Sequence, residues 1–130
     1  MPTAQQVHDA VRRYAEAVST ASKEAIMACY SDSATVQDPY PQPVHEGKEA
    51  VAGFWDGVLA MGQPVSFVPE NVVVAADKGV FGFAIQIEIG EGEGKASLQV
   101  EGYDVLTVDD DGLIAGQLAF WDPASMHPVG

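Results

Sequence analysis

The chain has one cysteine, six basic residues and no apolar run of membrane-spanning length, and each shortage removes a class of function. With Cys29 alone there is no intrachain disulfide, and its setting in "AIMACY" suits a small buried residue better than a nucleophile. Six Lys and Arg against nineteen Asp and Glu leave a net charge of −13, which repels phosphate backbones and anionic lipid. No nucleic acid and no membrane are therefore expected as partners. The acids are scattered rather than gathered in a tail, which reads as solubility, and a highly anionic substrate would fit poorly. The opening "MPTAQQVHDAVRR" has no apolar signal core, so the expected location is cytoplasmic. His8, His45 and His127 lie far apart without metal-ligand spacing, so no metal is expected. "GEGEG" at 90–94 lacks the context of a phosphate loop and reads as a hairpin turn, and no Gly-x-Ser-x-Gly elbow is present.

What is there is enough for one domain, residues 1–130, with 47% hydrophobic residues and no low-complexity stretch. Thr3 and Gln6 match a capping box, and Val7, Val11, Tyr14 and Val18 follow at helical spacing, predicting a helix over 4–19 with Tyr14 on its inward stripe. A shorter helix is predicted from Lys23 to about Tyr30 and a third from Lys48 to Ala60, the latter with Val51, Phe54, Trp55 and Val58 on its apolar face. Between them lie a short strand, Ala34 to Gln37, and a proline-rich loop opened by Asp38-Pro39. From residue 64 onward the pattern is β: two short runs parted by Pro69-Glu70, an alternating strand over 79–89, "LQVEGYDVLTV" over 98–108, a turn at Asp109 to Gly112, and a last strand "LIAGQLAFW". Helices first and then an antiparallel meander predict an α+β fold, a cone-shaped curved sheet wrapped around the helices with an apolar pocket at its mouth.

One residue in that pattern is out of place. Strand parity puts Leu98, Val100, Gly102, Asp104, Leu106 and Val108 on one face, so Asp104 points at apolar company, where an unpaired carboxylate is costly and the neutral acid is favoured. A buried hydrogen bond to backbone would also account for it. Asp38 alone reads as a turn residue before proline, and Tyr14 alone as a core tyrosine with a satisfied hydroxyl.

Together these residues give the chain a likeness to a known family. "PTAQQVHDAVRRYAEAV", "EAIMACYSDSATVQDPYPQPVHEGKEAVAGFW", "DVLTVDDDGLI" and "AFW" resemble the bacterial Δ5-3-ketosteroid isomerases, within the wider SnoaL-like group of cone-shaped domains similar to nuclear transport factor 2. The resemblance implies that Asp38 is the general base and that Tyr14 and Asp104 form an oxyanion hole, with Asp104 protonated, an established feature of that family. It implies further that Tyr30 supports the network, that Trp121 lines the steroid site, and that Phe54, Phe81 and Phe83 add apolar wall. Where the best-known members carry a second supporting tyrosine, this chain has Trp55, whose indole donates a hydrogen bond but accepts none.

The implied activity is isomerisation of a Δ5-3-ketosteroid to its conjugated isomer, with no cofactor, a small apolar steroid as partner, and a homodimer formed through the outer sheet face. The alternatives are a hydratase, epoxide hydrolase or cyclase of the same fold, or a non-catalytic binder of apolar rings.

Overall fold

A computed structural model describes residues 1–129. Helix α1 spans Ala4–Ser19 and opens on the expected capping box: Gln6 N donates to Thr3 Oγ1 at 3.1 Å and Thr3 N donates to Gln6 Oε1 at 2.8 Å. Its inward stripe buries Val7, Val11, Tyr14 and Val18. Each fully buried valine contributes about 1.5–3 kcal/mol of apolar burial, so the stripe anchors the helix on the sheet.

Helix α2 covers only Lys23–Met27, and strand β1 begins at Tyr30 and runs to Gln37. Tyr30 therefore belongs to a strand and not to the helix that its spacing from Ile26 suggests. Burial decides the matter: Tyr30 is fully enclosed and pairs with Ile114, so tertiary contacts override a short helical pattern. Strand β2, His45–Glu46, lies in the proline-rich segment read from sequence as a loop. Gly47, at φ 88°, turns the chain from β2 into α3, Lys48–Met61. Val51 and Trp55 of α3 are buried, with Phe54 and Val58 packed beside them.

The remaining strands are β3 (Gln63–Ala75), β4 (Lys78–Ile89), β5 (Ala96–Val108), β6 (Ile114–Phe120) and β7 (Met126–Val129). The two runs separated by Pro69-Glu70 form one strand, β3, broken only by register shifts near Pro64 and between Glu70 and Val73. Such bulges bend a strand, which is how this sheet curves. The order is β2-β1-β6-β5-β4-β3, with β7 also on β5. β6 and β7 share one edge of β5, the first along Tyr103 to Val108 and the second along Ser97 to Val100.

The sheet is mixed, where the sequence pattern predicts an antiparallel meander: β1 lies parallel to β6. Parallel neighbours end at the same side of a sheet, so the residues that follow β1 and β6 emerge together. Those residues include Asp38 and Trp121. In β5 the expected parity holds, with Val100, Asp104, Leu106 and Val108 buried and Tyr103 64% exposed on the outer face.

Gly102 shapes the inner face beside Asp104. A Cβ there would lie 2.4 Å from Phe120 O and 2.8 Å from the Phe83 ring, so only glycine lets Phe83 lie across the strand. Phe83 in turn stacks on Phe67, with ring centroids 5.3 Å apart at 14°. Gly102→Ala is expected to destabilise the fold by about 1–3 kcal/mol, the usual cost of forcing atoms into a packed site. An unchanged thermal midpoint would contradict this account of the wall.

Candidate active site

Three elements bring the titratable residues together. Tyr14 projects from α1, Asp104 from the middle of β5, and Asp38 stands just past β1, where Tyr40 N donates to Ala119 O at 2.8 Å and fastens the loop to β6. All three line one pocket of about 160 Å³, together with Phe54, Trp55, Phe83 and Trp121. Seven of the nine residues named from sequence thus face a single cavity.

The other two stand behind its wall. Phe81 is 1% exposed and meets Phe67 edge-on, so it supports the lining without forming it. It pairs directly with Asp104 on the neighbouring strand and shares that level of the core. Tyr30 is fully buried behind Tyr14, their ring centroids 6.3 Å apart.

The rest of the lining is apolar: Val58 and Met61 from α3, Phe67, then Ile85, Ile87 and Ile89 from β4, Leu98 and Val100 from β5, and Met126 from β7. The isoleucines follow from the period of β4, whereas Phe67 is masked by the proline after its short run. Met126 belongs to a strand with no clear sequence signal. Gln117 is also absent from the sequence reading, although it lies in β6 on the same parity as Ala119, whose side buries. A glutamine on an apolar parity is the same signal that singles out Asp104.

The two acids sit in different surroundings. Asp104 is 2% exposed, and its Oδ1 is buried with no hydrogen-bond partner among the described residues. Burial pushes its pKa well above the carboxylate range, and the nearby Asp38 pushes it further. Asp38 is also raised by burial, but two groups oppose that shift. Trp121 Nε1 donates to its Oδ1 at 2.6 Å, and His45 favours the anion electrostatically. Both acids are thus raised, Asp38 against two groups that favour its anion and Asp104 with none.

Tyr14 is held neutral as well, its pKa raised by burial and by Tyr30, Asp104 and Asp38, with Gln117 acting in the opposite direction. Its hydroxyl accepts a hydrogen bond from Gln117 Nε2 at 3.0 Å. Gln117 Oε1 accepts from the Tyr30 hydroxyl at 2.5 Å, and Trp55 Nε1 donates to that same hydroxyl at 3.1 Å. The hydroxyl of Tyr14 has no acceptor of its own among the described residues.

A larger hollow of about 710 Å³ lies outside α1, lined in part by His8, Asp9, Arg12 and Glu16, and it reaches none of these groups. Arg12 pairs with Asp9 and Glu16 there, an ordinary charged helix surface. No cluster of three or more His, Cys, Asp or Glu among the described residues is placed to hold a metal ion. No described helix is long and apolar enough to cross a membrane.

The raised pKa of Asp104 predicts a pH signature in stability. Because its folded pKa is raised, the folded state holds a proton that the unfolded state releases above the ordinary carboxylate range. That contribution is complete below about pH 4 and is lost as pH climbs toward the folded value. The stability of Asp104→Asn relative to the wild type is therefore expected to rise with pH by up to about 1.4 kcal/mol per unit across this window. Chemical denaturation at a series of pH values measures it, and a difference that stays constant with pH would mean that Asp104 is not protonated in the fold.

Comparison with known proteins agrees with this architecture. The SnoaL-like domain family matches residues 11–117. A steroid Delta-isomerase from Nocardioides simplex is 36% identical over 121 residues, covering 93% of this chain and 94% of the relative. Among solved structures, the epoxide hydrolase/cyclase-like enzyme SalBIII superposes with a TM-score of 0.87 at 19% identity, covering 99% of this chain and all of its own. A Δ5-3-ketosteroid isomerase from Mycobacterium sp. gives 0.80 at 20% identity, covering 95% of this chain and 98% of its own. The two structural likenesses establish the fold; the sequence matches go further, and by them the chain belongs to the SnoaL-like family of NTF2-like domains, as a relative of the steroid Delta-isomerases.

Proposed function

We propose that this chain is a steroid Δ-isomerase that converts a Δ5-3-ketosteroid to the conjugated Δ4 isomer. The observation that carries the reading is a pair of polar groups on an otherwise apolar pocket: the Tyr14 hydroxyl, whose hydrogen has no acceptor, and the buried Asp104 carboxyl, whose Oδ1 has no partner. Buried polar groups are normally satisfied, so an unpartnered carboxyl oxygen beside a hydroxyl whose own hydrogen has no acceptor, both on one cavity, fits an oxygen supplied by a ligand.

In the proposed reaction the Asp38 carboxylate takes a proton from C4. The released pair forms the C3–C4 double bond, and charge moves to the C3 oxygen, where Tyr14 and Asp104 donate to it. Asp38 then returns the proton to C6, the C4–C5 double bond forms, and the ketone is restored. One base serves both transfers, and the donors act where charge develops. The substrate's own carbonyl is the electron sink, so the reaction needs no cofactor.

The enclosed volume of about 160 Å³ is smaller than the ~300 Å³ at which pockets for whole drug-sized ligands begin. The reacting end of the steroid would sit inside, with the remaining rings against the mouth, where Met61 and Ile89 are 73% and 40% exposed. The proposal includes a homodimer through the outer sheet face, which exposes Tyr103, Val80 and Phe120. Sedimentation of the purified chain tests that part separately.

Asp38→Asn is expected to fold and to bind steroid while losing about 10²-fold to 10⁴-fold in turnover, followed by the ultraviolet absorbance of the conjugated enone. Near-normal turnover would sink the base assignment. A hydrolase or cyclase on this fold would leave that absorbance flat in the wild type too. Asp104→Asn, still a donor, is expected to lose less than Asp104→Leu, whose loss should approach the ~10²–10³ of a missing oxyanion donor. Equal losses would remove Asp104 from the donor role.

A further inference from the structure

We propose that Gln117 is a positioning residue that gives direction to a one-way hydrogen-bond relay, Trp55 to Tyr30 to Gln117 to Tyr14, and so aims the Tyr14 hydrogen into the pocket. This inference rests on the isomerase reading for its catalytic consequence. The direction of the relay itself follows from donor and acceptor chemistry.

Tyr30 and Gln117 are at most 4% exposed and stand behind the pocket wall, so neither can turn to water for a substitute partner. An indole donates and has no acceptor, so the 3.1 Å contact between Trp55 and Tyr30 has only one polarity: the Tyr30 oxygen receives. Its single hydrogen then goes to the acceptor within reach, Gln117 Oε1 at 2.5 Å. A glutamine that presents its oxygen to Tyr30 must present its amide nitrogen to Tyr14, and that nitrogen only donates. The Tyr14 oxygen is occupied as an acceptor, and its hydrogen remains for the ligand.

The opposite orientation of the amide is the state the enzyme must avoid. With the side chain flipped, its oxygen would face Tyr14 and consume the hydrogen meant for substrate. The Tyr30 hydrogen would then be left buried without an acceptor, since Trp55 offers none. Trp55 thus selects the productive orientation of Gln117 across two intervening hydrogen bonds. A tyrosine in its place could donate or accept, and the relay could run either way. The departure at position 55 and the glutamine at 117 form one device, and because an amide is a weaker acid than a phenol, that device orients Tyr14 more than it acidifies it.

Gln117→Glu tests this. As the neutral acid the introduced carboxyl reproduces the amide, accepting from Tyr30 and donating to Tyr14. Once ionised it accepts from both and turns the Tyr14 hydrogen away from the pocket. The titratable groups around it are Tyr14 and Tyr30, with Asp104 and Asp38 along the pocket. These are common to both proteins, so the ratio of Q117E to wild type at each pH isolates the substitution.

The expected result is a kcat ratio near one at acid pH that falls by about 10²-fold as pH rises, the scale of one lost oxyanion donor, with KM little changed. Affinity for estradiol, whose A ring is a phenol, should fall in parallel without any need for turnover. Gln117→Met leaves the Tyr14 hydrogen free and should lose no more than about tenfold, independent of pH and well short of Tyr14→Phe. Flat Q117E ratios in both measurements, with folding verified by circular dichroism and ionisation of the introduced carboxyl by its infrared carboxylate band, would overturn the relay, as would a Q117M loss equal to that of Tyr14→Phe; where the carboxyl stays protonated throughout, the Q117M comparison decides. If estradiol affinity follows the expected pH pattern while the wild type yields no enone, the relay stands and the isomerase reading falls.

Discussion

A carboxyl without a partner persists in a protein interior only at a cost that favours its neutral form, and the pocket of this chain is arranged around one whose pKa burial raises. Asp104 stands between Phe81 on one neighbouring strand and Ala119 on the other, with Leu106 buried two residues along. Gly102 lets Phe83 lie across β5 and complete that dry wall. The surroundings that make the acid costly as an anion also make it available as a donor, so the packing of this face and its proposed chemistry are a single property. Asp38, half-buried and raised by that burial, receives the Trp121 hydrogen bond and the influence of His45, which favour the anion. Two acids of one intrinsic pKa are separated by what touches them.

Topology supplies the contact between Asp38 and Trp121. Had β1 been antiparallel to its neighbour, the residue after β1 and the residue after β6 would leave the sheet at opposite ends. With Gln37 beside Leu118 in a parallel pair, both chains leave together, and the indole reaches the carboxylate. The long connection from β1 to β6 runs through α3 as well as β2 to β5, and α3 carries Phe54 and Trp55 to the pocket. Fold and site are therefore linked by one connection.

Strand parity was sufficient to find Asp104, because period two is rigid and an acid on an apolar parity is a local contradiction. Helical spacing placed Tyr14 inward for the same kind of reason. Gln117 carried a similar contradiction but is neutral, and a buried amide draws less notice than a buried acid. The helical spacing of Ile26 and Tyr30 weighs little against the pairing of β1 with β6, a contact formed across more than eighty residues, so Tyr30 lies in a strand. β7 and Met126 had no periodic pattern to announce them, and Phe67 was hidden by the proline two residues on. What a sequence hides here is what depends on distant partners: which strands run parallel, and which polar groups meet across the core.

The scarcity of basic residues belongs to the same logic. Each of the six is engaged at the surface: Arg12 with Asp9 and Glu16, Lys23 with Asp56, Lys48 with Asp32, Lys78 with Asp77, Lys95 with Glu88, and Arg13 with backbone carbonyls of Asp9 and Gly112. None lines the pocket. A fixed cation beside a developing enolate would stabilise it, but beside Asp104 it would also lower that residue's pKa, ionise it and abolish its ability to donate. It would equally hold Asp38 too stable an anion to accept a proton readily. An oxyanion site made of neutral donors is compatible with a protonated acid at its centre, and one made of cations is not. In the proposed reaction the pocket therefore has to answer a transient negative charge with hydrogen bonds alone, which makes the direction of each hydrogen bond behind Tyr14 matter.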